Sequence, residues 1–250
     1  MRKLVGPTEP AAFDNPTGAL VYPQVGPAAY EAVFDFGCGC GRVARQLMQQ
    51  NPRPERYLGI DLHRGMVEWC RTNLEPAAAG FRFVHHDVFS ASFNPGEDKP
   101  MTERFPAADN EFTLAIAHSV FTHLVESQVE HYLREVARIL RPDGVLLSTW
   151  FFFEKDDFPM MQEWTNALYI NLVDPSAAVI FDKTWARETA KKAGLTLVAV
   201  QAPKIRGFQW TCTFAPTTSR MDEVDLPEDT APIGLVRVAK APADPHRVGL

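Results

Sequence analysis

Eleven residues, Ala32–Arg42 (A-V-F-D-F-G-C-G-C-G-R), constrain this chain more than any others. An apolar run ends at Asp35-Phe36, and glycines occupy alternate positions 37, 39 and 41. A short apolar run closed by glycines reads as a buried parallel strand that turns sharply into a helix. Glycine permits the backbone that such a turn needs and lets a ligand lie against the main chain. The helix expected over Arg42–Gln50 aims its free N–H groups at the same place. An acid at a strand end beside a glycine loop therefore marks a small-molecule site in an α/β fold.

The glycine spacing separates nucleotide cofactors. A dinucleotide fingerprint, G-x-G-x-x-G, would add to Gly37 and Gly39 a glycine at position 42, where Arg42 stands. The third glycine comes one residue early, and D-x-G-x-G-x-G resembles the first motif of class I S-adenosylmethionine (SAM)-dependent methyltransferases at Asp35, Gly37, Gly39 and Gly41. A glycine turn in an ordinary α/β domain would give the same four residues, so the distinction rests on the strands downstream of Gly41.

A second strand over Arg56–Ile60 ends in Asp61, which can accept hydrogen bonds from both hydroxyls of a ribose or cap the next helix. Leu62 adjoins it on the cofactor side. A third strand, Phe81–His85, leads to Asp87-Val88. The resemblance implies that Asp87 meets an adenine amino group and the Val88 amide a ring nitrogen. Asp87 as a solvated loop acid, and His85 and His86 as strand-end residues rather than metal ligands, are the plainer readings. A fourth strand, Phe112–Ala117, precedes H-S-V-F-T-H-L (118–124), an apolar-faced helix over Glu126–Leu140, an R-P-D-G turn and the apolar strand Val145–Phe153. This order of motifs across residues 31–153 closely resembles the methyltransferase superfamily. It implies a doubly wound, mostly parallel seven-stranded sheet, Rossmann-like, with an antiparallel last strand.

The expected organisation is an irregular proline-rich segment at 1–30, one methyltransferase domain at 31–240 and a tail at 241–250. Insertions at 90–110 and 154–182 should cap the substrate site. Part of Glu154–Asp182 reads as an apolar-faced helix. Trp185–Ala193 reads as a helix and Leu195–Val200 as the sixth strand, while either Phe208–Phe214 or Ile233–Val238 could form the last one. In an open α/β sheet the ligand crosses the carboxyl ends of the strands. The loops after strands four and five then offer His118 and His123 as candidate bases, His118 also as a cofactor contact, and Phe121, Trp150, Phe152 and Glu154 as acceptor contacts. Core packing is the competing reading for each aromatic, and packing against the fold for the histidine of the H-L pair.

The resemblance implies in-line transfer of the sulfonium methyl, leaving S-adenosylhomocysteine (SAH), with a base needed only for a hydroxyl or protonated amine acceptor. A small-molecule acceptor, O- or N-methylated in secondary metabolism, is the expected partner. Ala117-His118-Ser119-Val120 stands where nucleic-acid amino methyltransferases carry N/D-P-P-Y/F/W, no cysteine is preceded by a proline, and His118 replaces the metal-binding aspartate of catechol-type enzymes. No metal is expected. A net charge of −6 without a Lys/Arg cluster argues against a nucleic-acid partner. No apolar run reaches membrane length and the four cysteines suggest no disulfide, so a cytoplasmic location is expected, with a homodimer compatible. A catalytically silent SAM-binding subunit, or less readily a nicotinamide-dependent oxidoreductase, would use the same sheet.

Overall fold

The computed structural model describes residues 9–96, 98–171 and 173–232. The chain runs β1 (Ala32–Phe36), α1 (Arg42–Gln49), β2 (Arg56–Asp61), α2 (Arg64–Asn73), β3 (Phe81–His85), β4 (Phe112–Ala117), α3 (Glu126–Ile139) and β5 (Leu140–Phe153). It continues through β6 (Ala167–Tyr169), β7 (Val179–Asp182), α4 (Lys183–Lys192), β8 (Leu195–Gln201) and β9 (Trp210–Pro216). The main sheet has the order β3-β2-β1-β4-β5-β9-β8; its first five strands are parallel and β9 is antiparallel to both neighbours. The main part has the seven strands expected, β7 and β6 extend the sheet to nine along the end of β5, and β9 resolves the last strand in favour of the 208–214 region. The alternative at Ile233–Val238 and the tail at 241–250 lie outside the described residues.

Every residue of β1 and β4 is buried, as a parallel sheet covered on both faces requires. Alternation along β1 sends Phe34 and Phe36 to the face covered by α3 through Leu133 and Val136. Val33 goes to the other face, under Val43 and Leu47 of α1 and Val67 of α2. Phe105, within the 90–110 insertion, is buried against that first face, its ring 4.7 to 5.3 Å from those of Phe34, Phe36 and Tyr132. Strand order reverses between β1 and β4, and their carboxyl ends open the crevice that holds the site.

Three boundaries depart from the sequence reading. The R-P-D-G segment is not a free turn: Leu140 already pairs with Phe112, and residues 141–144 bulge out before Val145 rejoins at Leu114. Helix α4 begins at Lys183 rather than Trp185, because Asp182 caps it by accepting from the Trp185 amide at 3.0 Å. Within 154–182 no α-helix forms among the described residues; β6 and β7 are there instead. The reason lies in β5, which outruns the main sheet: β4 pairs with it only to Ser148 and β9 only to Trp150. Phe151–Phe153 still carry backbone donors and acceptors that need partners, and β7 supplies them in parallel register, backed by β6.

Candidate active site

The glycine loop is built as its spacing requires. Gly37, Gly39 and Gly41 take φ of 82°, 54° and 78°, a region closed to most side chains. A Cβ on Gly37 would lie 2.5 Å from Val120 Cγ2, so the loop and the β4 exit are packed to contact. The Gly37 and Cys38 amides both donate to the Ile60 carbonyl, at 2.8 and 3.0 Å, which ties the loop to β2.

Asp61, at the end of β2, holds the loop from the other side. Its Oδ2 accepts from the Gly39 amide at 2.8 Å and its Oδ1 from the His63 amide at 2.7 Å. It is not the cap of α2, a role His63 takes by accepting from the Met66 amide. Each carboxylate oxygen keeps lone-pair capacity toward the crevice. Burial raises the Asp61 pKa, with the two amide donors working against it. Asp35 is buried below the loop, where Tyr57 Oη donates to its Oδ2 at 2.6 Å; burial raises its pKa to about 6, which that hydrogen bond and Arg42 oppose.

Asp35, Gly37, Gly39, Arg42, Asp61, Leu62, Val88 and His118 line one cavity of about 600 Å³, within the usual range for small-molecule sites. Its opposite wall comes from elsewhere. Phe89, Ala91, Phe93 and Met101 descend from the first insertion and its approach, Leu124, Val125 and Gln128 from the start of α3, and Val173–Ser176 from the second insertion. Ser92 Oγ donates to Asp174 Oδ2 at 2.6 Å, joining the two insertions across the site.

His118 closes β4 and faces the cavity. The next residue, Ser119, holds a left-handed φ of 57°, pinned by its amide on Thr149 Oγ1 at 2.7 Å and its hydroxyl on Gln209 Oε1 at 3.0 Å. Strain of this kind persists only where neighbours impose it. Desolvation by the cavity walls, with Arg42 adding to it, lowers the His118 ring to about 4, although the residue keeps an open face toward the cavity. His123 also lines the cavity, and its Nδ1 donates to the Ser176 carbonyl at 3.0 Å, leaving Nε2 as the acceptor nitrogen.

The remaining candidates go elsewhere. Asp87 does not line the cavity: its half-exposed carboxylate sits on the rim with Lys99 at 2.9 Å, Asn94 at 3.0 Å and Arg64 at 3.7 Å, and the hydrogen bonds from Asn94 and Lys99 pull its pKa down to about 2. Val88 does line it, but its amide already donates to the His86 carbonyl at 2.9 Å. All four acceptor candidates are displaced. Phe121 and Trp150 are wholly buried and stacked, ring centroids 4.3 Å apart, with the indole N–H on Ser148 Oγ at 2.9 Å. Phe152, two residues along the same strand face, stacks on Trp150 at 5.8 Å. Glu154 pairs with Lys183 at 3.3 Å, away from the cavity. Aromatic rings in mid-strand were drawn into the core, where their area counts most.

Residues the sequence reading missed include Gln128 and Tyr132, one helical turn apart on α3. Gln128 caps its own helix through Oε1 on the Val125 amide at 3.0 Å and donates from Nε2 to the Met101 carbonyl at 3.0 Å. Tyr132 Oη meets Nε2 of buried His86 at 2.9 Å, and burial lowers that histidine to about 4. Their signal was available: polar side chains beside the Val129–Leu133–Val136 stripe have to bury against something polar. Among the described residues no His, Cys, Asp and Glu cluster could hold a metal, no disulfide joins any of the four cysteines, and no helix is long and apolar enough to cross a membrane.

Known proteins resemble this chain in the same region. The family profile described as "Methyltransferase domain" matches residues 33–144. A fatty-acid O-methyltransferase of Mycolicibacterium smegmatis is 33% identical over 54% of this chain and 41% of its own length. A malonyl-[acyl-carrier protein] O-methyltransferase of Porphyromonas gingivalis is 29% identical over 55% of this chain and 44% of its own. The chain thus spans less than half the length of these curated relatives. Among solved structures, the O-methyltransferase of a trans-AT PKS multienzyme of Brevibacillus brevis, in complex with SAH, superposes with a TM-score of 0.54 at 12% identity, over 72% of this chain and 52% of that one. That likeness is one of fold.

Proposed function

Because a methyltransferase-domain profile matches residues 33–144, we propose that this chain transfers a methyl group from SAM to an oxygen of a small-molecule acceptor. The observation that carries the reading is the Asp61 clamp. A part-buried carboxylate at the cavity wall pins the Gly39 amide of a left-handed glycine loop and keeps lone-pair capacity for a ligand in the crevice. That donor set fits SAM: Asp61 toward the ribose hydroxyls, Leu62 and Val88 flanking the base, Asp35 and Arg42 at the amino-acid end. The named activities of the two curated relatives, both O-methyltransferases, support oxygen as the acceptor atom.

When bound, SAM supplies a sulfonium methyl that needs no further activation. The chain's part is then alignment and exclusion of water, an effect on the order of 7–11 kcal/mol when the geometry is right. The insertions at 90–110 and 154–182 serve as the acceptor cap, joined over the cavity by Ser92 and Asp174. His118 lines the same cavity, where desolvation favours its neutral form. For a hydroxyl acceptor, His123 Nε2 takes the proton, its tautomer set by the Nδ1 hydrogen bond to Ser176.

Calorimetry tests the cofactor: SAM and SAH should each bind one to one at micromolar affinity or tighter. Preference for NAD would overturn the reading. Isotope transfer from labelled SAM into a metabolite extract tests the reaction, and tight SAM binding with no labelled product would favour a silent SAM-binding subunit.

A further inference from the structure

The cavity's glycine-loop end presents the charged Asp35, Asp61 and Arg42, whereas its cap end is mainly apolar, with Phe89, Phe93, Met101 and Val173 set among Gln128, Asp174 and Ser176. Two of these cap residues are also among the large apolar side chains most open to solvent: Val173 is 94% exposed and Met101 48%. They belong to different insertions, so the apolar lining reaches the surface from both sides of the mouth. A mainly apolar wall that reaches an exposed rim suits a ligand longer than the chamber.

We propose that the acceptor is an aliphatic amphiphile, with its oxygen head inside the cavity and its chain leaving over Met101 and Val173. The proposal rests on the methyl-transfer reading above and assigns its substrate class. A flexible chain can follow the rim, whereas a compact ring system would leave Met101 and Val173 in water. In the transfer itself an acceptor oxygen lone pair forms the new O–CH3 bond as the C–S bond breaks, and the bonding pair stays on sulfur as the thioether of SAH. A carboxylate head gives a neutral ester with no proton moved; a hydroxyl head gives an ether and passes its proton to His123 Nε2.

The test measures binding to the SAH-loaded protein by calorimetry, with decanoic acid and 1-decanol set against butyric acid and 1-butanol. Each decyl compound should bind at least about 50-fold more tightly than its butyl counterpart, since six further methylenes lose part of their contact with water. Labelled SAM then shows which head accepts the methyl. Val173→Asp, at a position whose side chain touches little of the fold, should weaken the decyl compounds about 5- to 30-fold and leave butyl compounds and SAH unchanged. Equal binding of decyl and butyl compounds would overturn the proposal, as would tighter binding of 2-naphthoate than decanoate, or a Val173→Asp effect of the same size on the short chains. Loss of SAH binding in the wild type would overturn instead the methyl-transfer reading beneath it.

Discussion

The two halves of the cavity are held together by different physics. The glycine-loop half is fixed by the main chain: three left-handed glycines, two amides on the Ile60 carbonyl and two more on Asp61 leave it no alternative arrangement. The cap half is made of short strands and irregular segments tied mainly through side chains, among them Ser92 to Asp174, Gln128 to the Met101 carbonyl, Asn166 and Tyr169 to Glu126, and His123 to Ser176, with large apolar groups left in water. One half can be specified residue by residue, because each backbone group has one partner. The other is held loosely enough that a ligand can complete its packing.

A substitution at Gly37 puts that contrast under the greatest load. Gly37→Ala adds a Cβ 2.5 Å from Val120 Cγ2 at a φ of 82°, and should weaken SAH binding more than about 100-fold by calorimetry. Near-normal affinity would mean that the loop half is as forgiving as the cap. Asp61→Ala comes next. It removes an ionised acceptor from two amides and from any ribose, at about 1.5–3 kcal/mol per hydrogen bond to a charged group. SAH affinity should fall about 10- to 100-fold, and an unchanged affinity would remove the ribose from Asp61.

His86 gives a pH test of the wall between the halves. Burial holds it at about 4 in the fold, against about 6.5 when unfolded. Below pH 6.5 the unfolded chain takes up that proton and the fold does not, so stability should fall as pH drops from 6.5 toward 4. Asp35, raised to about 6, acts oppositely in the same window: the fold keeps its proton there more firmly than the unfolded chain does, so its contribution declines as pH rises. Comparison with His86→Gln isolates the histidine. Denaturant unfolding at pH 7 and pH 5 should show a loss smaller by about 2 kcal/mol in the variant, and an equal loss in both would put His86 in water.

On the cap, His123→Ala removes one hydrogen bond to Ser176, a change of about 1 kcal/mol. Amide exchange around residues 173–176 should quicken while SAH affinity stays within about two-fold; slowed exchange, or a large drop in SAH affinity, would make the cap part of the cofactor site. The smallest effect is expected on the rim. Asp87→Ala should change SAH affinity by less than about three-fold, because solvent and salt screen an exposed carboxylate paired with Lys99 and Arg64. A drop as large as that of Asp61→Ala would return Asp87 to the adenine.

The strand-end acids were equally visible in the sequence, yet they fared differently. Asp61 has two amides within reach and is drawn to no lysine or arginine, so it stayed at the crevice; Asp87 has Lys99, Asn94 and Arg64 around it and turned to them. Asn94 and Lys99 could not be located before the 90–110 insertion was folded. The aromatic run at 150–153 likewise announced an apolar strand without showing that Phe121 would close over Trp150 and keep it from the cavity.

Local rules decided the β1 loop, the positions of the first five strands and the site at their carboxyl ends, because glycine spacing, strand-end acids and apolar periodicity each act over a few residues and agree with one another. The tertiary structure alone decided what faces the acceptor. Met101, Gln128, Tyr132 and Val173 come from three separated segments, and they share one wall only because β5 overshoots its sheet, draws β7 alongside and brings the second insertion back over the first. Such a wall depends on which unsatisfied backbone groups find each other across long chain separations, and no local pattern encodes that pairing.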